Sequence, residues 1–308
     1  MTKVFIDGSA GTTGLRIRER LEGRKELTLL TLPEEARKDP SARKDILNEA
    51  ELVFLCLPDD AAREAVGFIE NPETRVIDTS TAHRTSPGWV YGFPELVGRE
   101  AVIASKRIAN PGCHASGFIA LVYPLAEAGL LPRDAALSCF SLTGYSGGGK
   151  SMIAQYEGPD RDPLLSAPRQ YGLGQQHKHL REMAALCSLE KAPVFCPIVA
   201  DFYSGMEVTV PLFRDQLSGG MEEVKEVYRA KYPVGIVHFS EKPDEGGFLS
   251  AAALSGRDDM EISVLGNEER LILTARFDNL GKGASGAAIQ NMNILLGLPE
   301  TTGLSLKE

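Results

Sequence analysis

The sequence predicts an α/β protein that begins with a doubly wound parallel sheet. Two apolar runs, residues 52–57 and 75–78, have the continuous hydrophobicity of strands that are buried on both faces. Helix-like segments separate such runs, so strands and helices alternate through the first third of the chain. The first strand, residues 3–7, leads directly into a glycine-rich loop and then a charged helix.

Composition limits the classes of function. A chain of 308 residues can bury enough surface for two domains. Its net charge of −9 argues against a nucleic-acid partner. No apolar run approaches the ~18 residues that a membrane span needs, and we expect no signal peptide. The 5 cysteines are an odd number without a CxxC pair, so we expect a reducing, cytoplasmic location. No third ligand follows His177 and His179 at metal-site spacing, so we expect no metal site.

The glycine loop is the first candidate site and predicts a Rossmann-type dinucleotide-binding domain. Glycines let a backbone approach a pyrophosphate, and the following helix supplies N–H donors. After the second strand, residues 33–38 offer both acidic and basic side chains, so they do not choose between NAD and NADP. A solvated charge cluster is the alternative there. The candidate cofactor-binding residues are Gly8, Ser9, Ala10, Gly11, Thr12, Thr13 and Gly14.

The second part of the chain has a different order of predicted strands and helices. Strands are predicted at residues 136–143, 194–200, 206–213, 234–239, 261–265 and 271–277. Because few helices separate them, we expect a second α+β domain with a mixed, mainly antiparallel sheet. Further expectations are a strand at residues 101–105, a loop at 144–150 and helices at 175–186 and 284–296.

Cys113 is the candidate nucleophile. It follows an Asn-Pro-Gly turn, so we expect it in the first turn of a helix, where the dipole favours a thiolate. That effect is worth ~0.3–1 kcal/mol, less than one pKa unit of ~1.36 kcal/mol. A nucleophile therefore needs a second group, such as a histidine. A small buried cysteine without a catalytic role is the alternative.

The predicted helix at residues 175–186 contains a candidate base. His179 and Glu182 are three residues apart, so a carboxylate can orient the imidazole. We expect His177 and Arg181, four residues apart, on another face and nearer the substrate. A metal site and two solvated histidines are the alternatives.

Two further histidines receive weaker expectations. His114 follows Cys113 in its helix and is expected to point away from it. His238 lies in an apolar run and is expected to be structural.

Several blocks of sequence, spread over essentially the whole chain, resemble N-acetyl-γ-glutamyl-phosphate reductase in its shorter form (type 2), a member of the semialdehyde dehydrogenase superfamily. They are residues 8–14, Val76-Ile-Asp-Thr-Ser80 with His83-Arg84, Tyr91-Gly-Phe-Pro-Glu-Leu96, Ala109-Asn-Pro-Gly-Cys113, His177-Lys-His-Leu-Arg-Glu182, Asp278-Asn-Leu-Gly-Lys-Gly-Ala-Ser-Gly286 and Gln290-Asn-Met-Asn293.

This resemblance implies an NADPH-dependent enzyme that reduces an acyl phosphate to a semialdehyde in arginine biosynthesis. A thioester would form at Cys113, with His179 as acid/base. The remaining roles are Asn110 and the Cys113 N–H as oxyanion donors, Arg84, Arg107 and Lys282 as anion contacts, and Asn279 as a cofactor contact.

The resemblance also implies a domain plan. Residues 1–112 would form the dinucleotide-binding domain, with residues 284–308 packing back on it. Residues 113–283 would form a catalytic domain whose sheet builds a homodimer or homotetramer.

Other activities are compatible with parts of this pattern. Aspartate-semialdehyde dehydrogenase and an aminoadipate-type or carrier-linked acyl-phosphate reductase share the chemistry. A nucleotide sensor needs the glycine loop but not Cys113, and a cysteine hydrolase or acyltransferase needs Cys113 but not the loop.

Overall fold

The apolar runs near the start of the chain form a sheet of six parallel strands, as predicted. The structure is a computed structural model that describes residues 1–306. The strands are β1 (Thr2–Asp7), β2 (Leu27–Leu30), β3 (Leu52–Leu55), β4 (Arg75–Asp78), β5 (Val90–Tyr91) and β6 (Arg107–Ala109). The helices are α1 (Thr12–Leu21), α2 (Pro40–Glu49), α3 (Asp59–Phe68), α4 (Pro94–Val97) and α5 (Arg99–Ala104). The strand order is β2-β1-β3-β4-β6-β5.

Burial explains why this sheet is parallel and central. Every residue of β3 is buried, as expected for a strand that is covered on both faces. Val53 and Leu55 pack with Phe5 of β1, Leu47 of α2 and Ala62 of α3 in one hydrophobic core.

The predicted strand at residues 101–105 is wrong, because this segment belongs to the helix α5. A short apolar run does not distinguish a strand from a helix. Val102 is buried, whereas the neighbouring Ile103 is 45% exposed, so only one side of the segment faces the interior. The strand that precedes the nucleophile is β6 instead.

The second part of the chain forms a mixed sheet of seven strands in the order β11-β12-β13-β10-β7-β9-β8. The strands are β7 (Ser138–Gly144), β8 (Arg169–Gln170), β9 (Val194–Ala200), β10 (Met206–Phe213), β11 (Val237–Phe239), β12 (Met260–Gly266) and β13 (Arg270–Phe277). The helices are α6 (Cys113–Glu127), α7 (Gly149–Glu157), α8 (His179–Leu186) and α9 (Met221–Lys231). The pairs β11–β12 and β7–β9 are parallel and the others antiparallel, which confirms the predicted mainly antiparallel sheet.

Two of the differences from the prediction in this part concern residues 144–150 and the start of the helix α8. Residues 144–150 are not a loop, because a 3-10 turn (Tyr145–Gly148) and then α7 begin within them. The helix predicted from residue 175 begins only at His179. Gln175 adopts a left-handed backbone with φ of 54°, and its side-chain amide pairs with the main chain of Phe195 on β9.

The final helix, α10 (Gly286–Leu295), groups with the parallel sheet. One compact unit comprises Met1–Pro111 and Ala284–Gly303, and the other comprises Gly112–Gly283 with residues 304–306. Asn291 of α10 donates a hydrogen bond to the carbonyl of Gly92 at 2.8 Å. Residues 304–306 differ from the predicted grouping, because Ser305 exchanges main-chain and carboxylate hydrogen bonds with Asp258; residues 307 and 308 lie outside the described part.

Helix α6 lies directly against the mixed sheet. Its middle is buried all round, as expected of an apolar core helix. A β-carbon on Gly117 would lie 2.5 Å from Cγ2 of Val208 and 3.0 Å from a ring carbon of Phe277. Glycine therefore sets how closely α6 approaches β10 and β13.

We expect Gly117→Ala to lower the free energy of unfolding by ~1–3 kcal/mol, because the added methyl group overpacks this contact. Gly67→Ala is the matched control, since a β-carbon at this exposed position of α3 meets no atom within 4 Å. There, alanine should be neutral or should stabilise by up to ~1 kcal/mol. Urea unfolding of both variants measures the difference, and equal effects would contradict this account.

Candidate active site

Cys113 is the first residue of α6, and Gly112 is its N-cap. This confirms the predicted position in the first turn of a helix. Gly112 supplies no side-chain cap of its own, and the first turn of α6 places helix N–H groups and the positive end of the dipole near the thiol. The thiol is half-buried and not in a disulfide.

A π-helical turn, Gly281–Ser285, packs against the nucleophile. A β-carbon on Gly283 would lie 3.0 Å from Cβ of Cys113, so glycine is needed for this close approach. Lys282 belongs to the same turn and is only 2% exposed. Its predicted role as an anion contact stays a prediction.

Three histidines, His114, His177 and His179, form a histidine cluster. The ring centroids of His177 and His179 are 4.7 Å apart, and each lies 5.5 Å from that of His114. The expectation that His177 and His179 point to opposite sides is wrong, because His177 precedes α8 and its Nδ1 accepts the N–H of His179 at 3.2 Å. The ring of His114 joins this cluster as well.

Glu182 connects the histidine cluster to the start of the nucleophile helix. Its Oε1 lies 3.9 Å from Nε2 of His179, within one turn of α8. Its Oε2 accepts the N–H of Gly112 at 3.2 Å. The carboxylate is 2% exposed, so it acts on both partners with little screening by solvent.

Two residues that sequence reasoning missed bind His114. Nδ1 of His114 lies 2.7 Å from Oγ of Ser141, and Nε2 lies 2.6 Å from the hydroxyl of Tyr171. Burial lowers the pKa of His114 to about 3, with a further contribution from His177, so the ring stays neutral. Ser141 lies on a strand and Tyr171 in a Pro/Gly-punctuated connection, so no spacing rule relates them to Cys113.

Arg181 and His177 do not share a helix face, contrary to the prediction. Arg181 is exposed on α8, whereas His177 is half-buried before the helix begins. Contacts of either residue with a substrate stay predictions.

Asn110 and Arg84 lie together at the end of β6. Nε of Arg84 donates to the carbonyl of Asn110 at 2.9 Å, and a second nitrogen donates to the carbonyl of Thr79 at 3.1 Å. The buried guanidinium of Arg84 thus binds main-chain carbonyl groups. The Asn110 amide donates to the carbonyl of Ala284 at 3.0 Å, while its Oδ1 is buried without a hydrogen-bond partner. Their roles toward an oxyanion and an anion stay predictions.

Arg107 lies at the other end of β6. It donates to the carbonyl of Thr74, just before the neighbouring strand β4, at 2.8 Å and to that of Lys106, just before β6, at 3.0 Å. Burial lowers the pKa of its guanidinium. Ligands of such sheets bind at the carboxyl ends of the strands, so the structure does not bring Arg107 to that edge.

Asn279 is buried in unit 2, which comprises Gly112–Gly283. Its Oδ1 accepts the N–H of Gly205 at 2.9 Å, and its Nδ2 donates to Oγ of Ser146 at 3.0 Å. The amide therefore ties two loops together, and the cofactor contact stays a prediction.

The glycine loop closes tightly at the carboxyl end of β1. Gly8 has φ of +89°, and a β-carbon there would lie 2.2 Å from the carbonyl oxygen of Cys56. A β-carbon on Gly14 would lie 2.5 Å from the carbonyl oxygen of Gly8. Helix α1 then begins at Thr12, with Gly11 as an N-cap that provides no side-chain hydrogen bond. Its N–H groups suit a pyrophosphate, so the loop fits a dinucleotide.

A pocket of about 480 Å³ lies beside this loop. Gly8, Ser9 and Ala10 form part of its wall, and the guanidinium-bearing residues Arg18 and Arg37 form another part. Within residues 1–306, the structure contains no group of three or more residues arranged to hold a metal ion. Over the same residues, no helix has both the length and the hydropathy needed to cross a bilayer.

Comparison with known proteins agrees with this arrangement. Residues 3–104 match the NAD-binding domain of semialdehyde dehydrogenases, and residues 113–279 match the dimerisation domain of the same enzymes. The chain belongs to the semialdehyde dehydrogenase family. Its first unit is therefore an NAD(P)-binding domain.

Proteins with related sequences match nearly the full length of this chain. N-acetyl-γ-glutamyl-phosphate reductase 2 of Pseudomonas putida is 45% identical over 97% of this chain and 98% of its own. The N-acetyl-γ-glutamyl-phosphate reductase of Burkholderia lata is 46% identical over 96% of both chains.

Solved structures share the fold at low identity. Aspartate semialdehyde dehydrogenase II of Vibrio cholerae is 17% identical, with a TM-score of 0.72 over 96% of this chain and 98% of that one. Aspartate semialdehyde dehydrogenase with NADP from Candida albicans is 18% identical, with a TM-score of 0.66 over the same shares.

We expect iodoacetamide at pH 8 to alkylate Cys113 at least ~10-fold faster than Cys56, Cys139 or Cys187, because the thiolate is the reacting species. Burial raises the pKa of Cys56 to about 12 and raises those of Cys139 and Cys187 as well. Peptide mass spectrometry over time measures the rates. Urea-unfolded protein should lose the difference, and equal rates for Cys113 and Cys56 in the folded protein would refute the expectation.

We expect Gly14→Ala to weaken dinucleotide binding at least ~10-fold, because the backbone of the loop must open to admit the methyl group. Gly11→Ala is the control. Its β-carbon would lie 3.6 Å from the Gly8 carbonyl oxygen, an ordinary contact. Fluorescence titration with NADPH measures both dissociation constants, and equal losses would show that the close approach of Gly14 is not the determinant.

Proposed function

We propose that the protein catalyses the reversible, NADPH-dependent reduction of N-acetyl-γ-glutamyl phosphate to N-acetylglutamate 5-semialdehyde and phosphate in arginine biosynthesis. The observation that carries the chemistry is the position of Cys113 at the start of α6, where Glu182 binds the preceding residue and approaches His179. Sequence identity of 45–46% to N-acetyl-γ-glutamyl-phosphate reductases, over nearly the whole chain, supports the choice of substrate.

Cys113 begins the reaction as a nucleophile. The helix dipole alone supplies ~0.3–1 kcal/mol, so His179 takes the thiol proton. The thiolate attacks the acyl carbon; a C–S bond forms, and phosphate leaves with the electrons of the C–O bond. These steps leave a thioester on Cys113, which becomes a thiohemiacetal only after a hydride has been added to its carbonyl carbon. When the thiohemiacetal collapses, the thiolate leaves with the C–S electron pair and recovers its proton from His179. Glu182 keeps the imidazole oriented.

The glycine loop and its pocket hold the dinucleotide. NADPH, when bound, supplies the hydride that reduces the thioester. Arg18 and Arg37 line the pocket together with Asp7 and Glu34, and the two guanidinium groups are the candidate contacts for the additional phosphate of NADP. The Candida albicans relative was solved with NADP.

The remaining assignments follow from the family. His177, Arg181 and Lys282 are the candidates for binding the acidic substrate. Arg84 and Arg107 are weaker candidates, because main-chain carbonyls already engage them. We propose residues 1–111 with 284–303 as the dinucleotide domain, and 112–283 as the catalytic domain through which a cytoplasmic homodimer or homotetramer forms.

The reverse reaction tests this proposal. N-acetylglutamate semialdehyde, phosphate and NADP should give phosphate-dependent absorbance of NADPH, and Cys113→Ala should lower the rate at least ~10³-fold. Cys196→Ala is the control, because Cys196 is a half-buried thiol on β9. It should retain activity. Turnover with aspartate semialdehyde alone would overturn the substrate, and an active Cys113→Ala variant would overturn the mechanism.

A further inference from the structure

Three side chains from separate segments form a hydrogen-bonded chain behind the nucleophile. Ser141 lies on β7, His114 on α6, and Tyr171 directly after β8. Nδ1 of His114 lies 2.7 Å from Oγ of Ser141, and Nε2 lies 2.6 Å from the phenolic oxygen of Tyr171. Ser141 is fully buried and His114 is 4% exposed, so solvent does not compete for these bonds.

A neutral imidazole allows only two arrangements of this chain. Because burial holds the pKa of His114 at about 3, one ring nitrogen carries a proton and the other accepts one. In the first arrangement, Ser141 donates to Nδ1, and Nε2–H donates to the Tyr171 oxygen. In the second, Nδ1–H donates to the Ser141 oxygen and the Tyr171 hydroxyl donates to Nε2, so the hydroxyl proton of Tyr171 is already engaged. Only the first leaves the Tyr171 hydroxyl as a donor to a further group.

Tyr171 belongs to the surroundings of Cys113. Its ring centroid lies 6.1 Å from that of His177, in the histidine cluster. Burial, and after it the Cys113 thiol, raises the pKa of Tyr171, so the phenol keeps its proton near neutral pH. A protonated phenol beside the histidine cluster, near enough to Cys113 for the two groups to interact, is a hydrogen-bond donor available to an acyl group on Cys113.

We propose that Tyr171 donates a hydrogen bond to the carbonyl oxygen of the acyl group on Cys113, and that His114 is the positioning residue that holds its hydroxyl for this purpose. This proposal rests on the proposed function. It gives Tyr171 a catalytic role and gives His114, the residue after Cys113, a positioning role.

Negative charge develops on that oxygen twice. When the thiolate forms the C–S bond, the π electrons of the carbonyl move to the oxygen, and they return when the C–O bond to phosphate breaks. Reduction of the thioester leaves the oxygen negative again, until the C–S bond breaks and the aldehyde forms. A donor that is fixed in advance stabilises both states, and donation from Nε2–H to the Tyr171 oxygen strengthens it as a donor.

The tautomer of His114 tests the geometry without any substrate. Nitrogen-15 NMR of labelled histidine should show His114 protonated at Nε2 and not titrating between pH 5.5 and 9, values chosen ~2 or more units above its low pKa. Tyr171→Phe removes the acceptor of Nε2–H and should abolish this preference. A wild-type ring protonated at Nδ1 would overturn the proposal, because Tyr171 would then have no proton to donate.

Kinetics test the function of the chain. Tyr171→Phe should lower kcat ~10²-fold with little change in KM, as expected for the loss of one donor to an oxyanion. His114→Phe should lower kcat similarly, and the double variant should be no slower than Tyr171→Phe. In His114→Gln the amide can accept from Ser141 and donate to Tyr171, so this variant should recover part of the rate.

Tyr203→Phe is the matched control and should retain full kcat, because Tyr203 packs edge-on against Tyr145 and is not part of the hydrogen-bonded chain. Multiplicative losses in the double variant would show that His114 does not act through Tyr171. If the wild type lacks activity with N-acetylglutamate semialdehyde, the proposed function fails. The NMR result then still decides whether the chain has the proposed polarity.

Discussion

A buried carboxylate at the start of the nucleophile helix is the interaction on which the candidate active site depends. Glu182 is 2% exposed, and burying a charge is costly unless hydrogen bonds compensate it. The N–H of Gly112 supplies one such bond at 3.2 Å. Because Gly112 precedes Cys113 and His114, this bond links α8 to the first turn of α6. The positions of the thiol and of the histidine cluster follow from it.

Each of the two units uses buried carboxylates in the same way at the end of a strand. Asp78 ends β4 and binds the N–H and hydroxyl of Ser80 together with Nδ1 of His83, the last at 2.6 Å. Asp278 follows β13 and binds the hydroxyl of Ser204 and main-chain N–H groups of the turn that leads to Gly283. Irregular backbone near the candidate site is therefore held by satisfied charges rather than by apolar packing.

The local sequence pattern was sufficient to predict most strands and the position of Cys113, because each depends on residues that are neighbours in sequence. Strands β9 and β10 coincide with their predicted bounds, and Cys113 begins its helix as the Asn-Pro-Gly turn indicated. The start of α8 could not be predicted, since it depends on Gln175 pairing with Phe195 of β9. The histidine cluster was missed for the same reason: a contact between α6 and the segment before α8 is set by tertiary packing.

The neutral state of His114 has a consequence for how the protein responds to dissolved ions. Hydrogen bonds between uncharged groups act over short distances and are hardly screened, whereas attraction between full charges weakens as ionic strength rises. The chain from Ser141 through His114 to Tyr171 is therefore insensitive to salt. The proposed capture of an anionic acyl phosphate by cationic side chains is instead sensitive to salt. Affinity and the chemical step are thereby governed by different physical forces, and each can change without the other.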